Sequence, residues 1–319
     1  MAVRYGIIGD EVATQRLAAA IEASQTGILS GVVGNSTVNQ QLAQLNPQLT
    51  VFSDQRKLLT ADLDVIYLAA DQQSKFELAK QGLLNNKNLL IEKPLTRHFI
   101  GANEILRLAK QQNLLVFEDF SPLFSPLMQQ VKALVAQKII GDLRFIDVKL
   151  GIKNPPVWFT DLSAGGGALF HSGSMIVALI QSLCGHPITQ WQGLENSQIG
   201  QADSSCNLVF KAKNILSNVL ITAEPGFENE IVLYGTDGKI KVLNFDQQTE
   251  KAVLLLPGRS KNLVADQQTA DNLVYLLDWF DQCLAANNQD CITTAAKLIL
   301  SSRKVIESLY QQWYGDPLN

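Results

Sequence analysis

The sequence has few of the residues on which small extracellular proteins and metal proteins depend. Its 319 residues include four cysteines and three histidines. The chain is too long for a small disulfide scaffold. The cysteines have no C-x-x-C spacing, so no metal site is expected. No apolar run approaches the ~20 residues of a membrane span, and the first apolar stretch is too short for a signal peptide. We therefore expect a cytoplasmic protein without a membrane partner.

Charge is scarce as well. Only 18% of the residues are charged and the formal net charge is -4, so the chain has no basic surface for a phosphate backbone, and we do not expect nucleic acid as a partner. The hydrophobic fraction of 46% argues against intrinsic disorder. A chain of this length exceeds the usual size of one hydrophobic core, which predicts two domains.

Short apolar runs alternate with helical patterns in the first third of the chain. The predicted strands are residues 5–8, 28–33, 65–69, 88–91 and 114–117. The predicted helices between them include residues 12–24, 75–84 and 102–112. Strands that alternate with helices predict an α/β domain with a doubly wound parallel sheet, covered on both faces, over residues 1–118.

The pattern changes after residue 118. One helix, at residues 127–136, and a strand at 144–150 are followed by strands without helices between them, at 207–212, 218–223, 230–234 and 239–243. The pair Asp237-Gly238 predicts a hairpin between the last two. We expect an α+β domain over residues 119–319 with an open, mostly antiparallel sheet. Its C-terminal helices, 265–286 and 293–314, could pack back on the first domain. An uncovered sheet face predicts a homo-oligomer, a dimer or a tetramer.

The turn after the first strand stands where a doubly wound sheet binds a dinucleotide. It reads Gly9-Asp10-Glu11-Val12-Ala13-Thr14, so Glu11 replaces the second glycine of G-x-G-x-x-G. At ~4 Å its charge would repel a phosphate by roughly 1 kcal/mol in water, and by about 4 kcal/mol at an effective dielectric of 20, unless the side chain points outward. Alternatively, Asp10 only caps the helix and Glu11 complements its dipole.

The segment after the second strand, Gly34-Asn35-Ser36-Thr37, has no acidic residue. NAD-selective sites usually place Asp or Glu there for the ribose hydroxyls. Hydroxyls and amides admit NAD or NADP, with a slight preference for NADP. The alternative interpretation is a polar loop whose Ser36 or Thr37 caps the next helix.

The motif Leu89-Leu-Ile-Glu92-Lys93-Pro94-Leu95 places a carboxylate, an amine and a rigid proline at the end of a buried strand. Together with the strand at 64–69, it resembles the glucose-fructose oxidoreductase, inositol dehydrogenase and rhizopine-catabolism family of NAD(P)-dependent oxidoreductases. The resemblance continues through Ile140-Gly-Asp-Leu-Arg-Phe145 and Ala164-Gly-Gly-Gly-Ala-Leu169. It implies a Rossmann domain and hydride transfer between NAD(P)(H) and a hydroxyl or carbonyl of a small polar substrate, such as a sugar or polyol.

Several positions depart from the family pattern. In the family's D-x-G-x-H helix, this chain has His171 for the aspartate and Met175 for the histidine. Where members often carry P-N-x-x-H, it has Asp71, Gln72 and Lys75. The chain is therefore either a retuned enzyme or a catalytically degenerate member that acts as a ligand-binding or regulatory protein.

In the enzyme interpretation, Lys93 hydrogen-bonds the reacting oxygen and His171 is the acid or base. Trp158 and Met175 join them as substrate-contacting candidates. Alternatively, His171 and Met175 belong to the core, Trp158 only packs, and Lys75 is a solvent-facing helix lysine. The cofactor-binding candidates are Gly9, Asp10, Glu11, Val12, Ala13, Asn35, Ser36, Ala69, Ala70, Gln72, Glu92 and Lys93.

Overall fold

The structure is a computed structural model that describes residues 2–24, 26–34, 36–245, 251–263 and 271–315. The chain divides into two compact units. The first contains Met1–Ser121 and Leu273–Leu300, and the second contains Pro122–Asn272 and Ser301–Asn319.

The first unit is built on a parallel sheet. Its strands are β1 (Val3–Gly9), β2 (Gly27–Val33), β3 (Thr50–Phe52), β4 (Val65–Ala69), β5 (Asn88–Ile91) and β6 (Val116–Glu118). They pair in the order β3-β2-β1-β4-β5-β6, all in parallel. The predicted doubly wound sheet is thus confirmed, with its reversal of strand order between β1 and β4.

Within the described residues, five helices follow these strands in the first part of the chain. They are α1 (Glu11–Ser24), α2 (Thr37–Leu45), α3 (Gln55–Thr60), α4 (Gln72–Leu84) and α5 (Phe99–Gln111). Side-chain caps define several of their starts: the carboxylate of Asp54 accepts from the Lys57 N–H at 3.0 Å at the beginning of α3. Strands β4 and β5 read as continuous apolar runs because helices cover both faces of the sheet.

The second unit contains a mostly antiparallel sheet. Its strands are β7 (Leu143–Gly151), β8 (Gln190–Glu195), β9 (Ser205–Ala212), β10 (Ile215–Thr222), β11 (Glu230–Gly235), β12 (Lys239–Leu243), β13 (Lys251–Leu256) and β14 (Arg259–Leu263). They pair in the order β14-β13-β12-β11-β7-β10-β9-β8, and only β7 and β10 are parallel neighbours. The expected open antiparallel sheet is confirmed, including the hairpin at Asp237-Gly238, where β11 pairs with β12.

Two helices of the second unit are α6 (Pro126–Ala136) and α7 (Ala168–Cys184). Helix α7 packs against β9 and β10 and is buried along nearly its whole length, so it forms the core of this unit. A 3₁₀ turn, Val157–Thr160, precedes it in the chain.

The chain ends in α8 (Leu273–Ala285) and α9 (Gln289–Tyr314). The first part of the predicted helix 265–286, residues 265–270, lies outside the described residues. Within the first unit, α8 packs against α1, and Tyr5 of β1 donates a hydrogen bond to Asp281 Oδ1 at 2.5 Å. A disulfide joins Cys283 to Cys291, a pairing that the cysteine spacing did not predict. Across the described ranges, no helix has both the length and the apolar character of a membrane span.

Candidate functional site

The turn between β1 and α1 requires a glycine at its start. Gly9 ends β1 and lies opposite Ala69, the last residue of β4. A Cβ added at Gly9 would lie 3.0 Å from the Ala69 Cβ and 3.2 Å from the Ala13 Cβ. Both contacts are tighter than ordinary packing, so this position keeps the first helix and the two central strands close together.

Asp10 and Glu11 occupy different positions at the beginning of α1. The Asp10 carboxylate accepts a hydrogen bond from the Ala13 N–H at 2.8 Å, which confirms its predicted role as a helix cap. Glu11, the first helical residue, and Val12 are exposed. The amino end of α1, with its unpaired N–H groups and its dipole, is a kind of site that binds anions in other proteins.

The segment that follows β2 is polar. Asn35 lies outside the described residues. Ser36 Oγ accepts from the Asn39 N–H at 3.1 Å, so the alternative interpretation of Ser36 as a helix cap is confirmed. The Asn39 amide in turn donates to the Val33 and Gly34 carbonyls, each at 2.9 Å. This network fixes the path of the chain as it leaves the sheet.

The end of β4 leads directly into α4. Ala69 and Ala70 are half-buried, and Asp71 caps the helix by accepting from the Gln73 and Ser74 N–H groups, both at 2.9 Å. A hydrogen bond from the Ser74 hydroxyl, together with these N–H groups, lowers the pKa of Asp71 below its usual value.

Lys75 is buried, with 2% of its surface exposed. The interpretation of this residue as a solvent-facing helix lysine is therefore wrong. Its ammonium donates to the Glu92 carbonyl at 2.8 Å and to the Pro94 carbonyl at 3.1 Å. Burial is the main cause that lowers the pKa of Lys75, the charges of Glu92 and Glu118 oppose this decrease, and the charge of Lys93 adds to it. The resulting pKa is about 8.

The segment after β5 holds the predicted Glu92 and Lys93, both half-buried. The Lys93-Pro94 peptide bond is cis. Gln72 Nε2 donates to the Pro94 carbonyl at 3.3 Å, and its Oε1 is buried without a hydrogen-bond partner. Among the residues that the structure describes, none accepts a hydrogen bond from the Lys93 ammonium or forms an ion pair with it. The amine is therefore available to a ligand.

An ion pair between a buried carboxylate and a half-buried arginine supports this edge of the sheet. Asp119, just after β6, accepts from Arg16 of α1 at 2.7 Å and from the Tyr67 hydroxyl at 3.1 Å. Burial by itself would raise the pKa of Asp119, but the charge of Arg16 and bonds from Ser121 outweigh it and hold that pKa below its usual value. No local pattern could predict this pair, because its members lie 103 residues apart.

In the second unit, His171 lies in the first turn of α7 among aromatic rings. Its ring centroid is 5.9 Å from that of Trp158 and 5.9 Å from that of Phe159. The Nδ1 atom is 2.7 Å from the Ser172 hydroxyl. In the fully described stretch from residue 165 to residue 181, His171 alone is not buried. Trp158 is 38% exposed, so this pair of rings lies at the surface of its unit.

A buried carboxylate, which sequence reasoning missed, holds the start of α7. Asp203 accepts from the Leu169 N–H through Oδ2 at 3.0 Å, and its own carbonyl accepts from the Ala168 N–H at 2.9 Å. Tyr314 donates to Oδ1 at 3.1 Å. Burial raises the pKa of Asp203, and these donors oppose that increase. Gly167, the N-cap residue of α7, has no side chain that could accept a hydrogen bond, so the distant Asp203 takes the place of the usual side-chain cap.

The predicted site residues thus form two groups, one in each unit. The β1–α1 turn, the start of α4 and the segment Glu92-Lys93 lie at the carboxyl edge of the parallel sheet. Trp158 and His171 lie together at the start of α7, and Met175, one turn further, is buried in the core. The meeting of Lys93 with His171 stays a prediction. Among the described residues, no group of three or more His, Cys, Asp or Glu side chains could hold a metal ion.

The fold and the glycine turn define a Rossmann-type NAD(P)-binding protein. A family model described as "Oxidoreductase family, NAD-binding Rossmann fold" matches residues 3–120. A second model, the GFO/IDH/MocA C-terminal domain, matches residues 128–241. The chain belongs to the GFO/IDH/MocA family of oxidoreductases.

Individual relatives agree with this assignment. A trans-1,2-dihydrobenzene-1,2-diol dehydrogenase from Xenopus tropicalis is 28% identical over 190 residues, which is 57% of this chain and 56% of that protein. The chain thus spans little more than half the length of this curated relative.

Two solved structures share the fold over nearly the whole chain. A 3-ketoreductase from Actinomadura kijaniata, in complex with NADP and TDP-benzene, has a TM-score of 0.82 at 17% identity, over 97% of each chain. An aldose-aldose oxidoreductase from Caulobacter crescentus, complexed with glycerol, has a TM-score of 0.86 at 15% identity, over 98% of this chain and 97% of that one.

The glycines at the two ends of α7 provide a test of how the helix start is held. At Gly167, φ is +104° and an added Cβ would clash with Asp203 Oδ1, whereas at Gly185 φ is +66° with no atom within 4 Å. Backbone strain predicts a loss of about 1–3 kcal/mol for either change to alanine. Gly167→Ala should lose a further ~1–3 kcal/mol through the clash.

Urea unfolding of both variants measures this difference, with Gly185→Ala as the matched control. Equal losses in the two variants would show that Asp203 does not constrain the start of α7.

Proposed function

We propose that this protein is an NAD(P)-dependent oxidoreductase that transfers hydride between NAD(P)(H) and a hydroxyl or carbonyl of a small polar compound, such as a sugar or polyol. The observation that carries the proposal is the half-buried ammonium of Lys93, which has no internal partner in the described chain, at the carboxyl edge of a Rossmann sheet. The family assignment supports it, as do the dehydrogenase and ketoreductase activities named for the relatives.

The residues at this edge fit a dinucleotide. Gly9 and the amino end of α1 would hold the diphosphate, with the exposed Glu11 side chain turned toward solvent. The buried Gln72 Oε1 lacks a donor and would accept a hydrogen bond from an amide group such as a carboxamide. Ala69, Ala70 and Glu92 would line the same edge. When bound, the nicotinamide supplies the acceptor or donor of the hydride.

Two side chains would act on the substrate oxygen. The Lys93 ammonium donates a hydrogen bond to it and stabilises the negative charge that develops there. His171 gives or takes the proton at Nε2, because Nδ1 lies at 2.7 Å from the Ser172 hydroxyl. An unperturbed histidine has a pKa of about 6.5, so both of its protonation states are populated near neutral pH. Trp158, beside His171, would cover the bound substrate.

We further propose that the site binds NADP in preference to NAD. The segment after β2 has serine and threonine and no carboxylate, so nothing there repels a ribose 2′-phosphate.

Thermal denaturation with NADPH and with NADH tests cofactor binding. At 100 times its dissociation constant a ligand stabilises by about 2.7 kcal/mol, which corresponds to roughly 5–11 °C for a protein of this size. We expect that shift with NADPH and a smaller one with NADH.

Glu11→Gln should strengthen cofactor binding about fivefold or less, because it removes a repulsion of roughly 1 kcal/mol.

The matched control for this variant is Glu22→Gln, an exposed glutamate near the other end of α1. If neither cofactor shifts the melting temperature, the protein is instead a degenerate family member that binds another ligand or a regulatory partner.

Single-turnover oxidation of bound NADPH, measured across a panel of sugar and polyol carbonyls, tests the two roles. Lys93→Ala should slow it by about 10²–10³-fold and His171→Ala by about 10²–10⁴-fold, because they remove charge stabilisation and proton transfer. The controls are Lys110→Ala on α5 and His186→Ala beyond the far end of α7. Wild-type rates in both test variants would contradict the assigned roles.

We also propose that the protein is cytoplasmic and forms a homo-oligomer through the outer face of the eight-stranded sheet. Apolar side chains of three strands are exposed there: Val209, Leu216 and Tyr234. Such a face is typical of an association surface.

Disulfides are uncommon in reducing compartments, so the Cys283–Cys291 bond is an unusual feature for a cytoplasmic protein.

A further inference from the structure

Lys75 is an unusual residue to bury at this place. It lies in the second turn of α4, is 2% exposed, and directs its ammonium at the segment that carries Lys93. Removing a charged amine from water is unfavourable unless hydrogen bonds and neighbouring charges compensate. The charged groups near enough to act on its pKa are the carboxylates Glu92, Glu118 and Asp71, and the Lys93 ammonium. An apolar side chain of similar size would fill the same space without that cost.

The two acceptors explain why an amine is needed. Lys75 Nζ donates to the Glu92 carbonyl at 2.8 Å and to the Pro94 carbonyl at 3.1 Å. These are the carbonyls of the two residues that flank Lys93. The parallel ladder ends at this point, so neither carbonyl has a next strand to supply its donor, and unpaired buried carbonyls are rare in folded proteins. A single ammonium, which has three N–H groups, donates a hydrogen bond to each of the two carbonyls.

Other side chains hold the same segment from different directions. Gln72, one turn before Lys75 on α4, donates to the Pro94 carbonyl at 3.3 Å. On the opposite side, Glu118 of β6 accepts from the Leu95 N–H at 2.9 Å. The backbone from residue 92 to residue 95 is thus fixed on both sides of the residue whose side chain is available to a ligand.

We propose that Lys75 is a positioning residue, which fixes the backbone on both sides of Lys93 and so directs the Lys93 ammonium at the substrate. The expected effect of Lys75 on turnover rests on the proposed function. The expected effect of Lys75 on the backbone does not. Lys75 itself touches no substrate in this account. Because a displacement of ~1 Å in a reacting group can reduce a rate by about 100-fold, loss of the two carbonyl contacts should appear in kcat.

The chain offers a matched control. Lys87 is also buried, at 8% exposed, and also donates to two backbone carbonyls, those of Ala61 at 2.6 Å and Leu63 at 2.9 Å. It precedes β5 and therefore lies at the opposite, amino-terminal edge of the sheet. Lys75→Met and Lys87→Met each remove an ammonium and two hydrogen bonds while keeping the side-chain volume.

Hydrogen–deuterium exchange of the cofactor-free protein measures the backbone effect directly. In Lys75→Met the amides of Glu92 and Leu95 should exchange at least tenfold faster, and in Lys87→Met they should stay within about twofold of the wild type. Lys75→Arg, which keeps a buried donor, should restore most of the protection. Unchanged exchange at residues 92–95 in Lys75→Met would overturn the proposal.

Steady-state kinetics measures the effect on turnover. Lys75→Met should lower kcat by about 10–100-fold with KM within about threefold, and Lys75→Arg should recover part of the rate, while Lys87→Met keeps the wild-type kcat. Faster exchange at residues 92–95 with kcat equal to that of Lys87→Met would also overturn the proposal. A wild-type protein without any turnover would contradict the proposed function alone, and the exchange result would still decide whether Lys75 holds this segment.

Discussion

The carboxyl edge of the parallel sheet is where backbone hydrogen bonding ends and the candidate site begins. Each carbonyl that leaves the ladder there needs a hydrogen-bond donor from elsewhere, because a buried carbonyl without a donor is unfavourable. The protein meets this requirement after β5 with two polar side chains from α4, the buried Lys75 and the half-buried Gln72. The same contacts that satisfy the backbone also determine where Lys93 stands, so folding and the proposed chemistry depend on one set of hydrogen bonds.

The second unit uses the reverse arrangement at the start of α7. There the unpaired groups are N–H donors, and a buried carboxylate, Asp203, supplies the acceptors. Burial lowers the pKa of Lys75 and raises that of Asp203, in each case because the low-dielectric interior disfavours the charged form. In both units a buried ionisable side chain thus fixes a short backbone segment beside the residue proposed to act on substrate.

Much of the fold could be predicted from local pattern. Strands of a sheet buried on both faces read as apolar runs, which is why β4 and β5 begin and end where the sequence predicts. The short strand β3 was missed because three residues are too few to show a period of alternating apolar and polar side chains. Strand β8 was missed because its exposed and half-buried positions alternate without an apolar face.

The candidate site could be predicted only where a motif carries it, as at Gly9 and the Glu92-Lys93-Pro94 segment. The prediction that Lys75 faces solvent was wrong because a lysine on a helix is usually solvated. Its burial depends on backbone carbonyls 17 and 19 residues away in the chain. The Asp203 cap lies 34 residues after the helix start that it holds, beyond any local signal. The Cys283–Cys291 pair bridges the turn between α8 and α9 with a spacing that has no motif.

The central claim is that Lys93 and His171 act together on a substrate beside a bound nicotinamide. A crystal structure of the protein with NADPH tests this most directly, through the distances from the nicotinamide C4 to Lys93 Nζ and to His171 Nε2. We expect both nitrogens within reach of one substrate oxygen, with the diphosphate at the amino end of α1. A cofactor bound elsewhere, or the two nitrogens on separate surfaces, would contradict it.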